Sequence, residues 1–226
     1  MKRLLSLAIA LAIAASASAT SMRRYSLEEV RDRAESVFVG RVVSSSVRPV
    51  MNGQLVATDY TIEVGEVLAG TVGATTTVTF LGGKDSRYDV AIAGSPALAN
   101  GRSYLFFRTK QPNNTTVGWN QGLYRVEKVN LNGTEQTVLI SGDGEMLRMT
   151  HGRLVRAESV TVRDGALVKA AVGDAHAGDP RDGNGVALNA DGTPARRVAP
   201  SNAAAAEGPG SIATMDDVRL FVRSRQ

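Results

Sequence analysis

Not one of the 226 residues is a cysteine, and the chain opens with the pattern of an export leader. Lys2 and Arg3 precede an apolar run from Leu4 to Ala15, and Ala17-Ser18-Ala19 follows as a small-residue cleavage site. In that pattern Ala17 and Ala19 are the residues a signal peptidase reads. The sequence therefore predicts that residues 1–19 are a signal peptide and that the mature chain begins at Thr20, in the periplasm or outside the cell. The apolar run falls short of the ~20 residues that cross a bilayer, and no later stretch is more apolar, so no membrane span is expected after removal. An exported domain without disulfides must be stabilised by burial alone. A domain of about 150 residues can do that, since it removes roughly two-thirds of its unfolded-chain surface from water. The missing cysteine also excludes a thiol nucleophile, a thiolate metal site and a lipid-modified cysteine behind the leader.

Charge excludes a second class. Without Lys2 and Arg3 the 26 basic residues fall to 24 against 22 acidic, a net of +2. Arg23-Arg24, Arg31, Arg33, Arg196-Arg197, Arg223 and Arg225 are scattered along the chain. Binding by counterion release needs basic residues gathered on one face. No nucleic-acid partner is expected.

Residues 20–172 read as a β domain. Ser26-Leu27-Glu28-Glu29 has the spacing of a capping box, and Leu27, Val30 and Ala34 make one apolar stripe of a short helix. From Val37 to Val43 the chain is apolar on both faces, as a central strand is. Asn52-Gly53 supplies a tight hairpin turn, and the return strand runs from Leu55 to Leu68. Its alternation slips at Gly65, which predicts a β-bulge there. Thr75 to Phe80 alternates threonine outward with Val78 and Phe80 inward. Arg102 to Arg108 holds Tyr104, Phe106 and Phe107, three of the five Tyr and five Phe residues, and is the heaviest piece of the predicted core. Leu123 to Val129 and Thr134 to Ile140 form a hairpin across Asn132-Gly133, with shorter strands around Met146, Val160 and Leu167.

From 173 to 210 large apolar residues nearly vanish, too few to offset chain entropy, so a disordered linker is expected. Residues 211–226 end the chain as a short helix capped by Thr214, with Val218, Phe221 and Val222 on one face. So short a helix needs a docking surface, in this molecule or another. The fold class is thus mainly β, an antiparallel OB-like barrel with a short helix at each end.

Motifs for chemistry are sparse. His151 and His176 stand apart, without the H-E-x-x-H spacing of a zinc site. No G-x-S-x-G elbow accompanies a serine. Asp143-Gly144-Glu145 reads as a turn, lacking the spacing of a calcium loop, and Gly82-Gly83-Lys84 reads as a β loop in place of a phosphate loop. Asn113-Asn114-Thr115-Thr116 and Asn132-Gly133-Thr134 match the glycosylation sequon, but the alanine-rich leader has a bacterial style. Trp119, the single tryptophan, stands between glycines and is expected to fill a barrel end. No catalytic, cofactor-binding or metal-binding residue is assigned, and no cofactor is expected.

The succession Glu35-Ser36-Val37-Phe38-Val39-Gly40-Arg41-Val42, Tyr60-Thr61-Ile62-Glu63-Val64 with Leu68-Ala69-Gly70, Gly101 to Phe107 and Gly118 to Val126 resembles a group of exported bacterial domains of unassigned role. That group is similar to the OB-fold barrel of the tissue inhibitors of metalloproteases and the netrin-type modules. The resemblance spans Ser26 to Val129 and implies the fold. In those inhibitors an N-terminal cysteine meets the target's zinc; here Thr20 stands at that place, which leaves only its amine to approach a metal and puts the inhibitory role in doubt.

The expected function is a non-enzymatic exported domain that binds a protein or small ligand on the barrel face. Two other readings stand beside it. One is a secreted hydrolase whose carboxylates meet only in the fold. The other is an envelope structural protein or protease-associated factor whose terminal helix plugs into a neighbour.

Overall fold

The computed structural model describes residues 23–131, 133–163, 165–169 and 210–224. The predicted leader, with Ala17 and Ala19, lies outside the described residues, as do His176 and all of the predicted linker except Gly210.

Helix α1 (Leu27–Arg33) begins at the expected capping box, with Glu29 N donating to Ser26 Oγ at 3.1 Å and Ser26 N donating to Glu29 Oε2 at 3.0 Å. Leu27, Val30 and Ala34 are buried as the stripe predicts. The strands then follow as β1 (Ser36–Val50), β2 (Leu55–Ala69), β3 (Thr75–Leu81), a small hairpin of β4 (Gly83–Lys84) and β5 (Asp89–Val90), and β6 (Ser103–Arg108). After them come β7 (Leu123–Leu131), β8 (Thr134–Ser141), β9 (Glu145–Thr150), β10 (Arg153–Arg163) and β11 (Ala166–Lys169). A short β12 (Ser211–Ile212) and helix α2 (Met215–Arg223) complete the described chain. One ten-stranded antiparallel sheet runs β11-β10-β9-β8-β7-β6-β1-β2-β3, with β12 paired to β9.

Gly65 lies at a bulge, as its broken alternation predicts: Val39 pairs Glu66 while Gly40 pairs Val64, which leaves Gly65 without an opposite number. Two further register shifts, at Val37/Phe38 and Val42/Ser44, coil the same pair of strands. Such bulges sharpen the right-handed twist. Coiling brings β3 round toward β6, and the gap between them is spanned by isolated bridges, Phe80 to Asn114 and Arg108 to Thr116. At the other end the sheet bends back too, since Asn130 N donates to Gly165 O at 2.9 Å beside β11.

Three cores result where one barrel interior was expected. Tyr104 and Phe106 of β6 enter a core with Phe38, Ile62 and Phe80. Leu105 and Phe107, on the opposite face, enter another under both helices with Val30, Leu147, Val218 and Val222. A third core, with Val129, Val138, Ile140 and Leu167, fills the bend of β7 to β11. Period-two alternation is the cause: a strand with four consecutive buried residues must serve two faces.

The C-terminal helix docks on its own molecule. Thr214 caps it reciprocally with Asp217, and Val218 and Val222 are buried. Arg219 forks onto Glu66 of β2, Nε to Oε1 at 2.7 Å and Nη2 to Oε2 at 2.8 Å. Hydrogen bonding to that guanidinium holds the Glu66 carboxyl below its ordinary range. Among the described residues no helix is long and apolar enough to cross a membrane.

Candidate functional site

The residues between β6 and β7, and the ends of β8 to β10, meet under the segment 23–25. A short 3-10 turn (Trp119–Gly122) sets Gln121 there, entered through Gly118 at φ 59° and Trp119 at φ 60°. Gly118 is required on two counts: a left-handed backbone favours glycine, and a Cβ at 118 would lie 2.8 Å from Tyr25 Cδ2. Gln121 then grips the chain with both ends of its amide. Its Oε1 accepts from Tyr25 N at 2.6 Å and its Nε2 donates to Arg23 O at 2.9 Å.

Arg156 completes the clamp from β10. Its guanidinium donates three bonds: Nε to the Tyr124 hydroxyl at 3.0 Å, Nη1 to Tyr25 O at 2.7 Å and Nη2 to Gln121 O at 3.0 Å. The guanidinium carbons of Arg23 and Arg33 lie over the Tyr25 ring, 5.3 and 4.7 Å from its centroid. Arg23 pairs with Glu29 at 2.6 Å, and Arg24 pairs with Glu145.

Two hollows adjoin this strap. One, about 190 Å³, is lined by polar groups that include Asn120, Ser141, Asp143 and Glu145. The other, about 470 Å³, is an open trough between residues 24–28 and Arg153 to Arg156. Arg24 and Arg156 border both. The first hollow is smaller than the ~300–1,000 Å³ typical of sites that enclose a small molecule. It suits side chains of a longer ligand better than a free metabolite.

Burial pushes the Tyr124 hydroxyl up to about 12, against the pull of the Arg156 charge. An unfolded tyrosine releases its proton near 10, so the folded state holds the proton over a window where the unfolded state does not. The resulting stability is complete below pH 10, falls as pH rises and is lost above about 12. Urea midpoints of the wild type are expected to drop between pH 9 and pH 11 more steeply than those of Tyr124→Phe. Parallel declines would show that the phenol titrates normally.

The residues singled out in the sequence lie elsewhere or have ordinary roles. His151 is an exposed turn residue at φ 51°. Gly83 and Lys84 form the β4–β5 hairpin, where Lys84 Nζ meets Asp89 Oδ2 at 2.6 Å. Asp143 sits in the turn before β9. Trp119 corrects the expectation placed on it: it is half-buried and belongs to none of the three cores, standing at φ 60° in the turn between Val117 and Leu123, which do. Among the described residues no group of three or more His, Asp or Glu is placed to hold a metal ion. The clamp residues Gln121, Tyr124 and Arg156 had no local signature.

Compared with protein-family models, with curated proteins and with solved structures, the chain matches none.

Proposed function

We propose that this protein is an exported, non-enzymatic binding domain with an OB-like β architecture. The observation that carries the reading is the composition of the site: charged and polar side chains already joined to one another and to main-chain groups, a fixed surface for recognition. Arg156 spends three donors on Tyr124, Tyr25 and Gln121, and Arg24 meets Glu145. The cyclic order of pairing also supports the OB-like part. Segment 114–116 lies between β3 and β6, and β6 lies beside β1. A five-stranded Greek-key barrel has this order. The predicted leader supports the compartment, periplasmic or extracellular.

The test is a purified mature chain, residues 20–226, assayed against panels of peptides, esters and glycosides for binding and for product together. Saturable retention without product is the expected result. Asp143 and Glu145 share the smaller hollow, which favours a hydrolase as the second reading. Product that disappears in Asp143→Asn or Glu145→Gln would overturn the proposal in favour of that reading.

A further inference from the structure

We propose that the clamp of Gln121 and Arg156 is a binding site for an extended peptide with basic residues followed by an aromatic one, and that the chain's own residues 23–25 occupy it. The inference rests on the binding-domain reading above and supplies its ligand class.

Geometry makes the case. In an extended segment the N–H and C=O of one residue, and the C=O two residues before it, point to the same edge. Those are the three groups held here: Tyr25 N and Arg23 O by Gln121, and Tyr25 O by Arg156. A sheet edge recognises an added strand through main-chain bonds in the same way and leaves alternate side chains to set specificity. Side-chain preference follows from the surroundings. Glu29 and Glu145 receive the two arginines. The Tyr25 ring lies against Gly118, where any side chain would collide with it. Two hollows adjoin residues 23–25, both bordered by Arg24 and Arg156.

Tethering decides who wins. A segment joined to its site competes at an effective concentration on the order of mM, so a free peptide at micromolar concentration cannot displace the intact strap. Weakening the strap in the full-length mature chain uncovers the site.

The experiment uses a fluorescent peptide of residues 22–27, Met-Arg-Arg-Tyr-Ser-Leu, read by anisotropy against the mature wild type and Tyr25→Ala. The peptide is expected to bind Tyr25→Ala at least tenfold more tightly than wild type. Methylating the backbone nitrogen of the peptide's tyrosine, which removes the donor to Gln121, is expected to abolish that binding. Circular dichroism establishes that the variant is folded; if it is not, the exposed double variant Arg23→Ser/Arg24→Ser replaces it. Equal binding to wild type and variant would place the peptide elsewhere and overturn the proposal. No binding to a folded variant would overturn it too, while leaving the absence of turnover, and so the broader reading, intact.

Discussion

Phe106→Ala is expected to destabilise the domain by about 3–5 kcal/mol, the usual range for emptying a fully buried aromatic site. Phe106 has no exposed surface, its ring stacks on Phe38 with centroids 4.9 Å apart, and Tyr104 lies 6.0 Å away. Both neighbours are themselves in strands paired on each side, so little can collapse into the space. A domain of ordinary stability has only ~5–15 kcal/mol to lose. Urea denaturation checks it: the midpoint should fall with an unchanged slope, which marks a stability change without a change in the surface exposed. A loss below about 1.5 kcal/mol would contradict a tightly filled core at this point. Phe107, one residue on, faces the helices, and its replacement should loosen α2 where that of Phe106 does not.

Arg156→Met has the second large effect. Removing the guanidinium leaves the fully buried Tyr124 hydroxyl without that donor and releases Tyr25 O and Gln121 O. A buried polar group stripped of its partner costs about 1–3 kcal/mol, and Arg156→Lys is not expected to restore three bonds because an ammonium lacks the planar fork. Replacing both partners by apolar groups removes the orphan instead of creating one. The double variant Arg156→Met/Tyr124→Phe is therefore expected to recover a substantial part of the loss. A double-mutant cycle measures this, with a coupling of ~0.5–3 kcal/mol expected for groups in contact. Strictly additive losses would mean that the bond between them contributes nothing.

What could be read in the sequence was local, and what escaped it was long-range. Alternation in Tyr60 to Val64, the slip at Gly65, the capping box at Ser26 and the cap at Thr214 all act within a few residues, and the structure has them where expected. In Thr75 to Phe80 Val78 and Phe80 are buried as expected, but Thr79, expected outward, is buried too, its hydroxyl donating to Asp59 Oδ1 at 2.7 Å. Arg148 escaped. In Met146-Leu147-Arg148-Met149 a charged residue reads as outward, yet it is fully buried, because β12 arrives from far along the chain and Gly210 O accepts from its Nη1 at 2.9 Å. The clamp escaped for the same reason. Gln121 reaches residues 96 and 98 positions away, and Arg156 reaches Tyr25 across 131. Nothing in the neighbourhood of either residue encodes such a contact. The second core under the helices was not anticipated: the apolar run at 104–107 was expected to fill one interior, whereas its four consecutive buried residues serve two faces and both helices cover one of them.

Amide hydrogen exchange of residues 20–226, resolved to single residues, tests the strap most directly. The account predicts that the Tyr25 amide, donating to Gln121 Oε1 at 2.6 Å, is protected alongside the β6 amides and loses that protection in Gln121→Ala while β6 keeps it. Exchange of the Tyr25 amide at the rate of an unstructured peptide in the wild type would contradict it.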